Sequence, residues 1–264
     1  MRIITTKAIA LLIMFSAAAF AQEKGTFTDT RDQKTYKTVK IGDRTWMAEN
    51  LNYVVGDGEN DGKCYGELKN GESEVSLKGL KVVPSFTPAE IQAHCKKYGR
   101  LYSWETATKA CPSGWRLPND ADVAALVSSV GGGKIVDGSQ FAYQEEDYLG
   151  HASFKLMTKG EWFYDGRPGH SCEDLGIAGC TDDGLGFAAL PGGRCCVVDG
   201  VGKYPTSSSK GYEGSWWTAD DGDANRRAYI FTMRTDQPFG IDISAKINAA
   251  SKKNNLLSVR CVKN

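Results

Sequence analysis

The chain is short of the side chains that ordinarily move protons near neutral pH. Its 264 residues hold three histidines, His94, His151 and His170, and none stands in a motif with a nucleophile. No Gly-x-Ser-x-Gly elbow occurs, so a serine-hydrolase centre has no support. An excess of one charge is missing too: 32 Lys and Arg balance 32 Asp and Glu, with the signs interspersed. No basic stripe is left for phosphate backbones or anionic lipid, and a nucleic-acid partner is not expected. Beyond Ala8–Ala19 there is no long apolar run, whereas a membrane-spanning helix needs roughly 20 such residues.

That first run has the features of an export leader. Arg2 and Lys7 supply the positive end, and Ala19-Phe20-Ala21 is a small-x-small cleavage site. Residues 1–21 are therefore expected to be a signal peptide, with residues 22–264 forming one domain that works outside the cell or on its outer surface. Loss of the two basic leader residues takes the formal net charge from 0 to −2. No cysteine follows the cleavage site, so no lipid anchor is expected there. All eight cysteines, Cys64, Cys95, Cys111, Cys172, Cys180, Cys195, Cys196 and Cys261, lie after the leader, and an even set in an exported chain argues for disulfides. Eight cysteines allow on the order of a hundred pairings, which the residues alone leave open.

Tyr36–Ile41 alternates, Gly42-Asp43 follows, and Arg44–Met47 resumes, the pattern of a hairpin with a two-residue turn. Val55–Gly79 is polar and reads as a surface excursion. Thr87-Pro88-Ala89-Glu90 has capping-box spacing with proline at the first helical position; Ile91, Cys95 and Tyr98 share a face, and Gly99 can end the helix. A shorter helix is expected from a Ser103 cap to about Ala110, stopped by Pro112. Asn119 caps a third, with Val123, Leu126, Val127 and Val130 as its apolar stripe. After Gly138 the runs shorten and glycine punctuates them: Phe187–Leu190, Cys195–Val198, Ser215–Thr218, Ala228–Met233 and Leu256–Val262 are expected strands. The fold class is α+β, with two or three helices in the first half, an irregular antiparallel sheet in the second, and much loop.

Several segments, in this order, resemble the Fibrobacter succinogenes major paralogous domain, or FISUMP, family. They are Thr35–Gly42, Trp46-Met47-Ala48-Glu49-Asn50-Leu51-Asn52-Tyr53, Lys97-Tyr98-Gly99-Arg100-Leu101-Tyr102-Ser103-Trp104 with Cys95, Ala110-Cys111-Pro112-Ser113-Gly114-Trp115-Arg116-Leu117-Pro118, Gly186–Gly193, Trp216-Trp217-Thr218 and Ser258-Val259-Arg260-Cys261-Val262. The resemblance runs from about Asp29 almost to the end and implies an exported or surface-associated bacterial protein. Gly114–Pro118 leading into a capped helix, with a terminal Arg-Cys strand, also looks like the formylglycine-generating-enzyme and C-type-lectin-like fold group. That likeness implies a loop-rich domain whose ends meet, with Cys111 bonded to Cys261 and Cys64 to Cys95. Two departures stand out: Gln33 occupies a position where glycine is common, and Cys172, Cys180, Cys195 and Cys196 are extra. Adjacent strand residues face opposite sides, so Cys195 and Cys196 are expected to reach for separate partners.

His94 reads as a surface or packed helix residue. His170 with Cys172 and Cys180 has zinc-ligand chemistry, though disulfide pairing is the plainer reading in an oxidising compartment. With 32 carboxylates, a glycosidase-like pair can always be imagined and signals nothing. Trp162-Phe163-Tyr164, between Gly160 and Gly166, offers rings that could stack on sugar or anchor a protein, against the plainer reading of a loop packed down by its own rings. Asp221-Gly222-Asp223-Ala224-Asn225 alternates oxygen ligands as a calcium loop does, but Arg226 and Thr232 break the EF-hand pattern. Calcium held by Asp221, Asp223 and Asn225, with Asp182 and Asp183 nearby, is weighed against a solvated acidic turn. The lectin-type Glu-Pro-Asn triplet is absent. Trp46, Trp104, Trp115, Trp216 and Trp217 are expected in the core. The function expected is a non-catalytic binding or structural module for a polysaccharide or surface protein. The alternative is an enzyme, either of the formylglycine-generating type using Cys195-Cys196 or a carbohydrate-active hydrolase.

Overall fold

Strand Thr35–Ile41 buries every second residue at its start, as a strand with one covered face must. The computed structural model containing it describes residues 22–55, 62–67, 75–77, 80–82, 86–129, 135–136, 140–141, 155–163, 183–194, 196–198, 202–204, 210–223, 227–234 and 249–264. The described elements begin with β1 (Lys24–Thr28), β2 (Thr35–Ile41) and β3 (Arg44–Met47), then the small hairpin of β4 (Val75–Leu77) and β5 (Leu80–Val82). Helix α1 (Pro88–Tyr98), β6 (Leu101–Tyr102), α2 (Trp104–Ala110), β7 (Trp115–Arg116) and α3 (Asp120–Ser129) follow. Two further small hairpins pair β8 (Ile135–Val136) with β9 (Gln140–Phe141) and β10 (Cys196–Val198) with β11 (Gly202–Tyr204). The chain closes with β12 (Glu213–Asp223), β13 (Arg227–Arg234), β14 (Ala249–Lys252), β15 (Leu257–Ser258) and β16 (Val262–Lys263).

The predicted hairpin forms, with Ile41 opposite Arg44. Helix α1 has its capping box: the Glu90 amide donates to Thr87 Oγ1 and the Thr87 amide donates back to Glu90 Oε2 at 2.7 Å. Gly99 ends it at φ 75°, where a Cβ would meet the Leu51 carbonyl oxygen at 2.7 Å. Asn119 caps α3, its Oδ1 accepting from the Asp122 amide at 2.9 Å while its own amide donates to Asp122 Oδ2. Ser103 precedes α2 but gives no backbone cap; its hydroxyl lies 3.3 Å from that of Thr106.

One irregular sheet was expected in the second half; there are two five-stranded sheets, and the first half contributes to both. Their orders are β1-β2-β3-β16-β7, all antiparallel, and β14-β13-β12-β15-β6, in which β12 and β15 run parallel. Two expected strands are also corrected. Leu256–Val262 is two short strands in different sheets, and Phe187–Leu190 makes only a single bridge, from Ala189 to Met157. Periodicity marks extended backbone but does not say which sheet it joins.

Two cores result. Trp216 packs with Trp46, Phe231, Leu126 and Trp162, while Trp217 packs with Tyr102, Ile230, Trp115 and Leu257. Consecutive residues of β12 thus point into opposite cores, as the pleat requires. Cys111–Cys261 and Cys64–Cys95 are both bonded, across 150 and 31 residues. In the chain-entropy picture loops of this size contribute about 5 and about 4 kcal/mol. Cys172, Cys180 and Cys195 lie outside the described residues, as does the 1–21 segment. Among the described residues no helix is long and apolar enough to cross a membrane. Gln33, in the place where the family resemblance favours glycine, has φ 62°.

Candidate functional site

The Cys64–Cys95 bridge brings together the residues next to its two ends. Tyr65 follows one cysteine and His94 precedes the other, and their rings meet edge to face at 5.2 Å. His94 and Tyr98 lie one turn apart on α1, so they share a face. Phe86 closes the group, 4.8 Å from the His94 ring and 5.7 Å from Tyr65. Into this box comes Lys210, its Nζ 4.9 Å from the Tyr65 centroid, 5.6 Å from Phe86 and 5.6 Å from Tyr98. The Lys210 segment is held by its backbone: the Gly211 amide donates to the Pro191 carbonyl, and Gly211's carbonyl accepts from the Phe163 amide at 2.6 Å.

His94 Nδ1 lies 3.1 Å from the Tyr65 carbonyl oxygen, which can only accept, so Nδ1 carries the proton. Nε2 then accepts from Lys210 Nζ at 3.1 Å. Burial pulls the His94 pKa down; the Tyr65 carbonyl opposes this and Lys210 adds to it. The Lys210 ammonium is likewise pulled down, by burial and then by Lys97. Lys97 stands at the rim, paired with Glu161 at 2.6 Å and 5.3 Å from the Tyr98 ring. Among the described residues no carboxylate pairs with Lys210.

Two other polar groupings are internal. Asn50 Oδ1 accepts from Trp216 Nε1 at 2.8 Å and from Arg260 Nε and Nη2 at 3.1 and 2.7 Å. Its Nδ2 donates to the Tyr98 carbonyl and toward Ser258 Oγ. Arg260 also donates to the carbonyls of Phe187 and Ala188 and sits 4.4 Å over the Phe187 ring. Full burial pulls its pKa down to about 9, with Asp183 and Glu49 acting the other way, so the guanidinium is charged at pH 7. At the start of α3, the Asp120 amide donates to Asp220 Oδ2 at 2.6 Å. Burial and then the neighbouring Asp220 push the Asp120 carboxyl up to about 6.

Trp162 is 1% exposed, in the core with its indole donating to the Ala189 carbonyl at 3.0 Å; the packed-loop reading holds for this ring, because a buried indole with its N–H satisfied has no free face to offer. Phe163 is partly buried, and Tyr164 lies outside the described residues. Asp221 and Asp223 belong to β12, opposite Ala228 and Arg227, rather than to an open loop. Asp221 already has a counter-ion in Lys253 at 2.7 Å. Asn225, Asp182, His151 and His170 are outside the described residues. Among the described residues no group of three or more His, Cys, Asp and Glu is placed to hold a metal. Trp46, Trp115, Trp216 and Trp217 are buried as expected. Trp104 is half-buried, donating to the Thr218 carbonyl beneath Lys253. His94 gave one sequence signal, its place beside Cys95 and one turn from Tyr98; Lys210, in a Ser, Gly and Lys stretch, gave none.

The fold is α+β, with two five-stranded sheets, three described helices and two described disulfides. Residues 39–263 match the family described as the Fibrobacter succinogenes major domain, and the chain belongs to that family. No curated protein and no solved structure matches it.

Proposed function

We propose that this chain is an exported binding or structural module, cleaved near Ala21 into one domain of residues 22–264, that recognises a polysaccharide or a surface protein outside the cytoplasm. The observation that carries the reading is the bridged framework: two disulfides join distant segments, and such bonds persist in oxidising compartments. A lectin-like arrangement of loops on that framework belongs to the same reading. Recognition is assigned to the half-buried patch of Phe86, His94 and Lys210 with the Lys97–Glu161 rim, since rings beside charged groups suit the apolar faces and hydroxyls of sugars.

The test is retention of the purified protein on insoluble plant and cell-wall polysaccharides and on a glycan array, with and without calcium. Binding that Lys210→Met weakens about tenfold or more, on the scale of an interface anchor worth 1.4 kcal/mol or above, supports the patch. Binding unaffected by that variant removes the patch from the reading, and a calcium requirement moves recognition toward Asp221 and Asp223. Thiol titration of unfolded, unreduced protein separates the bridged module from a redox enzyme: two free thiols at Cys195 and Cys196 would favour the formylglycine-generating type.

A further inference from the structure

We propose that Lys210 is a nucleophilic amine that condenses with a small aldehyde or ketone, with His94 Nε2 as its proton acceptor and the Tyr65 carbonyl as the group that orients His94. The three stand in the order an activated nucleophile requires, with both links at 3.1 Å. The carbonyl fixes the tautomer, leaving the Nε2 lone pair aimed at the amine rather than at solvent. The Cys64–Cys95 bridge holds base and orienting group in place from both sides.

The surroundings divide in their effect on the nitrogen. The ring faces of Tyr65, Phe86 and Tyr98 attract the ammonium. Burial and Lys97 favour the free amine, and Glu161 partly neutralises Lys97. Glu90 acts on His94 from the first turn of α1, favouring the imidazolium, against burial and Lys210. The rings therefore position the nitrogen, and the imidazole gives its proton a way out. A lysine with an ion-pair partner would lack that route.

In the step itself His94 Nε2 takes one proton from the Lys210 ammonium, and the freed amine attacks the carbonyl carbon, forming the C–N bond. A proton passes from nitrogen to oxygen, giving the carbinolamine. The imidazolium then protonates the hydroxyl, the C–O bond breaks, and water leaves. Ammonium plus aldehyde becomes protonated imine plus water, with no oxidant or reductant consumed. The substrate class is a small carbonyl compound, including the open-chain form of a reducing sugar.

Glycolaldehyde at pH 7 with cyanoborohydride, which reduces the imine to a stable secondary amine, tests this when modification is followed at each lysine by peptide mass mapping. Lys210 should react several-fold faster than the exposed Lys96 and Lys109, because His94 accepts its proton and burial and Lys97 favour the free amine. His94→Gln should bring it to the rate of those two while the Cys64–Cys95 bridge stays formed. The pH profile of the unsubstituted protein needs no variant: the Lys210 rate should level off at lower pH than that of a free lysine derivative blocked at its α-amine and carboxyl. Equal or slower modification of Lys210, or parallel profiles, overturns the proposal. None of these readouts involves a polysaccharide, so failure of the binding reading leaves them unaffected, and their failure leaves that reading unaffected.

Discussion

Arg260 and Lys210 both lie against aromatic rings, and they differ in what else touches them. Arg260 is enclosed by oxygen: Asn50 and the carbonyls of Phe187 and Ala188 accept its hydrogen bonds, and Phe187 and Trp216 cover it. Lys210 has rings on three sides but, among the described residues, a single hydrogen-bonding neighbour, the titratable His94. A guanidinium presents five donors in a planar fork and keeps its charge when buried, so it can tie β16's approach, the Asn50 turn and the Phe187 strip into one unit. An ammonium is a point charge that gives up its proton more readily. The first arrangement is suited to holding the fold, the second to chemistry or recognition at its edge.

The sharpest way to break the comparison is Arg260→Ala. It leaves Asn50 Oδ1 and two carbonyls short of donors in the interior and should cost about 3–5 kcal/mol in denaturant unfolding; a loss below about 1 kcal/mol would show that the hub is not what holds these segments. Asp120 and Asp220 set two carboxylates together where the other clusters set a cation against neutral acceptors. An acid whose native pKa is raised binds its proton preferentially when folded. This contribution is therefore gained as pH falls through about 6, and lost as pH rises through it. Between pH 7 and pH 5 the unsubstituted protein should gain stability relative to Asp120→Asn, read as the difference between their unfolding midpoints; parallel midpoints would contradict the pairing. Lys210→Met should change stability by only about 1 kcal/mol, the scale of exposed cation–ring contacts, and native circular dichroism with bridges intact would confirm a role outside the framework. The smallest effect belongs to Gln33→Gly. Removing the Cβ at φ 62° should add about 0.5 kcal/mol, the left-handed strain relieved less the entropy glycine costs; a loss of stability would mean that the Gln33 side chain, bonded to the Thr30 carbonyl, matters more.

Local signals carried well into three dimensions where the physics is local. The Thr87–Glu90 box, the Asn119 cap and the Gly42-Asp43 turn are decided within a few residues, and all three form. The two bridges were expected from the likeness to the formylglycine-generating-enzyme and C-type-lectin-like fold group and not from spacing, since spacing leaves many pairings open. What stayed hidden was long-range. Leu256–Val262 splits between sheets because its two ends find different neighbours, Tyr102 and Trp46. The acidic run at Asp221 becomes strand because Ala228 and Arg227 lie opposite it. Trp162 is drawn inward by a carbonyl 27 residues later, and Lys210 reaches His94 across 116 residues. No window of sequence holds both partners.

Strand β16 sits between β3 and β7, so Val262 completes a ladder begun at Trp46. A growing polypeptide therefore carries a sheet with a missing middle strand until Val262 has been synthesised, more than two hundred residues after Trp46. Contacts of such sequence separation make closure late and slow.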